Sequence, residues 1–299
     1  MSSVNLDTKS IESRPPYPLK IKKPRNRPRT NWIALLLVII ISIILVAPAI
    51  NLISTALKSN AELLTFPPRI IPKTIVWSNF SNAFERYPIL TWYKNSIFVA
   101  LMSVIGTVLS SSFVAFGFAR YRAKGKQALF TILLATMMIP YPAIMLPQFV
   151  LFTNLGWMDS FAPIVVPTFF GSAYIIFLLR QFFTSLPNEL FEAARMDGCS
   201  EFRQWWSIAL PLSGPALATS SIFTFIWTWN DLIGQVMYLN SSNKFTLAIG
   251  MASMAFSNTR LIPWNLVMVV SILSIIPIVI IFAVAQKYFV RSIVLTGVK

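Results

Sequence analysis

Histidine is absent from the 299-residue chain, and cysteine occurs once, as Cys199. The first absence removes the commonest metal ligand and the commonest general base near neutral pH. The second rules out an intrachain disulfide. Charge is scarce as well. Asp, Glu, Lys and Arg make up 12% of the residues, against about 25% in a soluble globular domain. Only 10 residues are acidic against 25 basic, which gives a net charge of +15. An ordinary hydrolase or metalloenzyme finds few of its parts here. A phosphate loop is missing too, because "RYRAKGKQ" lacks both the first glycine and the hydroxyl residue of G-x-x-x-x-G-K-[ST]. The sequence therefore implies no nucleotide site, no cofactor and no metal.

What the chain has is apolar runs, with hydrophobic residues at 56%. Crossing a bilayer as a helix takes roughly 20 apolar residues, and six runs meet that length: 32–57, about 96–118, 128–152, about 162–183, about 208–229 and about 266–285. None holds a charged residue well inside it, Arg180 lying close to the end of the fourth. The runs thus avoid the cost of about 2.5–3.5 kcal/mol for a charge at a helix centre. The first run is about twice the length of a signal-peptide core and lacks a small-residue cleavage site, so it reads as an uncleaved span.

The expected fold is an all-α membrane protein with six transmembrane helices in residues 32–299, preceded by a basic, proline-rich and disordered tail over residues 1–31. With the N-terminus inside, 18 of the 25 basic residues fall in internal segments, which places both termini in the cytoplasm. The tail stretch "KIKKPRNRPR" suits retention and attraction to anionic membrane lipids; with no globular domain to present its charge, nucleic acid is not an expected partner.

The loop at about 184–207, between the fourth and fifth spans, is polar and on this topology cytoplasmic. Pro187 suits a first helical turn, Glu189 complements the helix dipole, and Gly198 can end the helix in a left-handed cap. Ser200 can cap a second short helix. Leu190, Ala193, Ala194 and Asp197 share one shallow face. On helix physics alone the loop either covers the span ends or offers a surface to another protein.

Two spans carry transport-like features. The fifth is dense in small and hydroxylated residues, among them Ser220 and Thr224, and the third holds Pro140, Pro142 and Pro147, which predict a kink or break. Trp227, Trp229 and Asn230 are candidate sugar contacts, since aromatic faces stack on sugars and amides bond hydroxyls; an interfacial aromatic belt would look the same. A self-contained secondary transporter would need ionisable residues within its spans, and a membrane enzyme would need a nucleophile with a base. The spans supply neither.

Glu192, Ala193, Ala194, Asp197, Gly198, Ile208, Leu210 and Pro211 stand at the spacings of the E-A-A, D-G and I-x-L-P pattern. The stretch resembles the loop of that name in permease subunits of bacterial ATP-binding-cassette (ABC) importers. "LKSNAELLTFPPRIIP", "WTWNDL" and "QKYFVRSIVLTGVK" resemble the carbohydrate branch, in particular the second permease of maltose-type and glycerol-phosphate-type systems. The resemblance covers about residues 30–299 and implies the type I importer permease fold in the inner membrane. It departs from the family at Cys199, where alanine is commoner.

The same resemblance makes the loop a coupling helix that docks on a separate ATPase. Glu192 then makes a polar contact to that subunit, Ala193 and Ala194 allow close seating, and Gly198 forms the bend. Asp197 stabilises the turn, and Phe202, Leu210 and Pro211 belong to the same coupling segment. The implied partners are a second permease subunit of different sequence, two ATPase subunits and an external solute-binding protein. The implied cargo is a di- or oligosaccharide or a sugar-like osmolyte. A basic segment between the first two spans suits glycerol phosphate, and the alternative cargo is that or another polar solute.

Overall fold

The computed structural model describes residues 31–256 and 262–296, with side chains placed as far as Gln286. The basic tail over residues 1–30 and the side chains of the C-terminal stretch lie outside the described residues. The chain divides into two units, Met1–Pro48 and Ala49–Lys299, and no β-strand occurs among the described residues.

The helices in chain order are α1 (Trp32–Ala56), α2 (Asn60–Leu63), α3 (Ser78–Arg86), α4 (Ile89–Arg120), α5 (Lys126–Thr136), α6 (Tyr141–Asn154), α7 (Ala162–Val165) and α8 (Ala173–Ser185). They continue with α9 (Asn188–Met196), α10 (Glu201–Gln204), α11 (Leu210–Leu212), α12 (Gly214–Asn230), α13 (Ile233–Val236), α14 (Leu247–Ala255) and α15 (Trp264–Thr296). Among the described residues four segments are long and apolar enough to cross a membrane: Trp32–Ala56, Ile89–Arg120, Ala162–Ser185 and Trp264–Gln286. Two more candidates are bent pairs, α5 with α6 at 93° and Glu201–Leu212 with α12 at 84°. Counting each bent pair as one span gives the expected six.

Proline placement accounts for the breaks. A residue before proline is pushed out of the helical region. Ile139, the residue before Pro140, lies beyond the end of α5 at Thr136, and extended Pro140 caps α6, which carries a further Pro147 inside. The fifth span departs from its expected boundaries, because its straight helix begins at Gly214 and not near Ile208. Pro215 fits the first turn of α12, where its missing N–H is no loss. Upstream, Pro211 deprives the preceding turn of a donor, and Trp205–Ala209 widens into a π-helix. The fourth span is also interrupted. A 3₁₀ turn over Val166–Phe170 and Gly171 at φ 90° separate α7 from α8.

Helix α4 is the central pillar of the second unit, with α8 and α12 packed along it. Its buried stripe includes Trp92, Ser96, Ser103, Gly106, Thr107 and Ser111, a helical spacing of mostly small residues that lets neighbours approach closely. At Gly106 a Cβ would lie 2.4 Å from Thr168 Oγ1, so no larger residue fits there without displacing the 3₁₀ turn. Ser111 Oγ accepts a hydrogen bond from Ser172 N at 3.0 Å, and Ser96 Oγ accepts one from Leu247 N at 2.7 Å, meeting the free donors at two helix starts.

One apolar cluster gathers Trp92, Phe225, Trp229, Leu247, Val269 and Val270. A second surrounds the Arg120 end of α4 with Phe116, Ile175, Leu179, Phe183, Phe191 and Trp205. Buried Asn79 ties elements together: its amide donates to Ala56 O and Lys58 O at 2.8 Å each, and its oxygen accepts from Asn265 Nδ2 at 3.0 Å. Between α6 and α7, the Asp159 carboxylate accepts from Ser241 Oγ, Ser241 N and Asn240 N and faces Lys244. The Ser241 hydroxyl, then the backbone donors, hold that carboxyl well below its ordinary range.

Candidate functional site

The segment after α8 is built by turn chemistry. Leu186 and Pro187 are extended, and Pro187 is the cap before α9, one position earlier than its expected first-turn place. At the far end Gly198 sits at φ 75°. There Cys199 N donates to Ala194 O at 2.9 Å and Gly198 N to Arg195 O at 3.1 Å, the paired bonds of a left-handed helix cap. Ser200 Oγ then accepts from Arg203 N at 3.4 Å and opens α10.

What anchors α9 is one aromatic residue. Phe191 is 4% exposed, its ring centroid 5.8 Å from that of Phe116, with the Arg120 guanidinium 4.1 Å above it. Arg120 also donates to Leu186 O at 2.8 Å and to Phe183 O and Asn188 Oδ1. A single guanidinium at the end of α4 thereby holds the end of α8, the linker and the start of α9. Neither residue stands out in the sequence; an aromatic within the E-A-A stretch and an arginine closing an apolar span are the signals that could have found them.

The opposite side of α9 is open. Glu192, Ala193, Asp197 and Gly198 are exposed, whereas Ala194 is half-buried and its carbonyl serves the cap. Met196, three positions from Ala193 and so on its side of the helix, is 89% exposed, and Phe202 on α10 is 60% exposed. Leu210 is half-buried and Pro211 exposed in the bent segment leading to α12. Such a surface, apolar with a carboxylate beside it, is suited to seating against another protein. Nearby, burial and then the Glu201 carboxylate raise the Tyr121 hydroxyl well above its ordinary pKa, keeping it a hydrogen-bond donor.

A cavity of about 940 Å³ lies where the α5–α6 bend meets the end of α12. Its lining includes Ser103, Tyr141, Thr168, Trp227, Asn230 and Asp231, and no Lys or Arg among the described residues. Ser103 is fully buried with its hydroxyl unpartnered. Asn230 Nδ2 donates to Ile226 O at 2.8 Å, and Asp231 Oδ1 accepts from Gly234 N at 2.9 Å. One oxygen of each side chain has no hydrogen-bond partner among the described residues, and Trp227, stacked on Phe223 with centroids 5.9 Å apart, lines the same cavity. This arrangement can bond polyol hydroxyls and stack a sugar ring.

The structure brings Trp227 and Asn230 to this cavity and turns the other pathway candidates away. Ser220 is fully buried, and Thr224 Oγ1 donates to Ser220 O at 2.9 Å within α12. Trp229 stacks on Phe225 with centroids 5.3 Å apart, and its Nε1 donates to Ser274 O at 3.1 Å. Positions 227 and 229 lie two apart on a helix and so face different sides. Tyr141 and Asp231 were not among the sequence candidates, although Asp231 belongs to the "WTWNDL" stretch. No cluster of metal-binding side chains occurs among the described residues.

Residues 108–295 match the family model described as binding-protein-dependent transport system inner membrane component. The chain is 32% identical over 282 residues to the arabinooligosaccharides transport system permease protein AraQ of Halalkalibacterium halodurans, covering 93% of this chain and 99% of that protein. It is 33% identical over 277 residues to the sn-glycerol-3-phosphate transport system permease protein UgpE of Rhizobium meliloti, covering 90% and 98%. Among solved structures, a chain of a bacterial ABC transporter involved in the import of the acidic polysaccharide alginate superposes with a TM-score of 0.77 at 26% identity, covering 86% of this chain and 95% of that one.

Proposed function

The chain belongs to the binding-protein-dependent transport system inner membrane components, as a multi-pass permease subunit of an ABC importer for sugars, and on that premise we propose how it divides the work. The cavity at Trp227, Asn230 and Asp231 is half of the solute pathway, completed by a second permease subunit of different sequence. Helix α9 is the joint to one of two separate ATPase subunits, which carry out the hydrolysis. An external solute-binding protein delivers the cargo. Both termini and α9 lie on the cytoplasmic side, in keeping with the bias of basic residues.

One observation carries the coupling role: α9 is fixed to α4 on its Phe191 side and open on its Glu192–Ala193 side. A loop that merely covered span ends would bury its apolar residues inward, yet Met196 is open to its surroundings and Phe202 stays 60% exposed although its ring also touches Phe113 and Trp205. Glu192 supplies the polar contact, Ala193 the seat, and Ala194, Asp197 and Gly198 the cap that ends the helix. Phe202, Leu210 and Pro211 continue the contact into the bent lead of α12.

The solute is a neutral di- or oligosaccharide. Among the described residues the cavity offers a carboxylate, an amide and a tryptophan but no cation, a lining that favours hydroxyls over phosphate. At about 5 Å a second negative charge would meet repulsion of roughly 3 kcal/mol at an effective dielectric of about 20. Ser220, Thr224 and Trp229 serve helix packing in this account. Trp227→Ala and Asn230→Ala are expected to lower sugar uptake at least tenfold in the reconstituted importer while the complex stays assembled. Ser220→Trp should instead cost assembly. Normal uptake by both cavity variants would reject this pathway.

A further inference from the structure

A second cleft, of about 620 Å³, opens beside α9 and is lined by Arg120, Arg122, Lys126 and Arg195, with Glu192 its one carboxylate. Four cations against one acid repel each other unless something negative sits among them. Their internal partners do not absorb this charge. Arg120 spends its terminal nitrogens on Phe183, Leu186 and Asn188, and its Nε is buried without a partner. Lys126 makes one hydrogen bond, to Tyr121 O at 2.6 Å, which leaves two of its three donors. Arg195 faces Glu201 at 3.5 Å, with both side chains about half exposed, a geometry of small worth. Arg122 has neither a hydrogen bond nor an ion pair among the described residues.

We infer that this cleft binds a phosphate group, the guanidinium groups of Arg122 and Arg195 and the ammonium of Lys126 taking its oxygens. A phosphate monoester presents three non-ester oxygens and up to two charges, and a phosphodiester two oxygens and one charge; either can accept from two forked guanidinium donors and an ammonium. Arg122 and Lys126 stand in the turn from α4 to α5, whereas Arg195 stands on α9. A phosphate held among them bridges the two elements and stiffens α9 against the end of α4, a consequence that rests on the coupling reading above. On the proposed topology the cleft faces the cytoplasmic leaflet, so the phosphate comes either from a soluble phosphorylated solute or from an anionic lipid headgroup.

The assembled importer tests this in nanodiscs at constant ionic strength, with its thermal unfolding midpoint as readout. In phosphatidylcholine discs, inorganic phosphate is added against chloride; in a second set, phosphatidylglycerol replaces part of the phosphatidylcholine. A ligand of the native state at 100 times its Kd should raise the unfolding midpoint of this subunit by about 4 °C. A rise with phosphate assigns the site to a soluble ligand, and a rise with phosphatidylglycerol alone assigns it to a headgroup. In either case Arg122→Gln with Lys126→Gln must abolish the rise. Arg122→Lys with Lys126→Arg, which keeps both charges, must retain at least part of it and guards against a misfolded double variant. No rise in either set, or an equal rise in the glutamine variant, overturns the proposal. Because the readout is binding, a failure here leaves the coupling role of α9 to be decided by uptake.

Discussion

Phe191→Ala is expected to cut ATP-driven uptake by tenfold or more while the ATPase subunits remain bound. Helix α9 has 9 residues, too few to persist alone in water, so its position depends on what it packs against. Phe191 is that contact, in the apolar cluster with Phe116 and beneath Arg120. Truncating a buried phenylalanine costs about 3–5 kcal/mol, and losing the cation above its ring adds roughly 0.5–2 kcal/mol. The ties at the two ends of α9, from Arg120 to Asn188 and in the cap at Gly198, are untouched, so the face with Glu192 and Ala193 can still seat the partner. What is lost is the rigid connection from α9 to α4. Uptake and ATP hydrolysis measured on the same proteoliposomes should separate, hydrolysis persisting without transport. Phe191→Leu, which refills most of the volume, should recover part of the uptake. Full uptake by Phe191→Ala would show that force does not pass through this contact.

Gly198→Val is expected to lose both uptake and ATPase association. The cause is backbone conformation and not space, because a Cβ at Gly198 would meet nothing within 4 Å. At φ 75° an ordinary L-residue pays about 1–2 kcal/mol, and a β-branched one is worse placed still. Relief of that strain breaks the bonds from Cys199 N to Ala194 O and from Gly198 N to Arg195 O, and α9 no longer ends where α10 can begin. Gly198→Asn is the discriminating control, since asparagine tolerates the left-handed region. It should keep most ATPase in copurification. Equal losses for Val and Asn would contradict the backbone explanation.

The parts of this site that were legible in the sequence are those fixed by neighbouring residues. Gly198 as a left-handed stop and Ser200 as a cap are local turn chemistry, and the structure has both. The break in the third span followed from its clustered prolines. The 84° turn before α12 did not show, because Pro215 inside an apolar run looks the same whether it starts a helix or interrupts one. The interruption around Gly171 was hidden in the same way by continuous hydrophobicity. Arg120 and Phe191 are 71 positions apart, and no local pattern registers a contact of that range.

Hydroxyl density pointed to α12 as a whole but carried no information on which side faces the cavity. Ser220 and Thr224 turned inward, while Trp227 and Asn230 turned to the cavity. Within a span the same small polar side chain serves close packing or a pathway equally well, and only the neighbours decide. Asp231 shows the converse. A lone acid just past an apolar helix looks like a boundary marker, yet the fold places it in the wall of the cavity.

The most direct test of the central claim, that this permease subunit is driven through α9 by separate ATPase subunits, is Glu192→Ala, with sugar uptake and ATPase copurification measured on one preparation. Glu192 is exposed, and a surface substitution without a partner shifts stability by less than about 0.5 kcal/mol. The protein should therefore insert and fold normally. Loss of uptake together with weakened ATPase association is the result the account predicts. Normal uptake with the ATPase fully retained would contradict it.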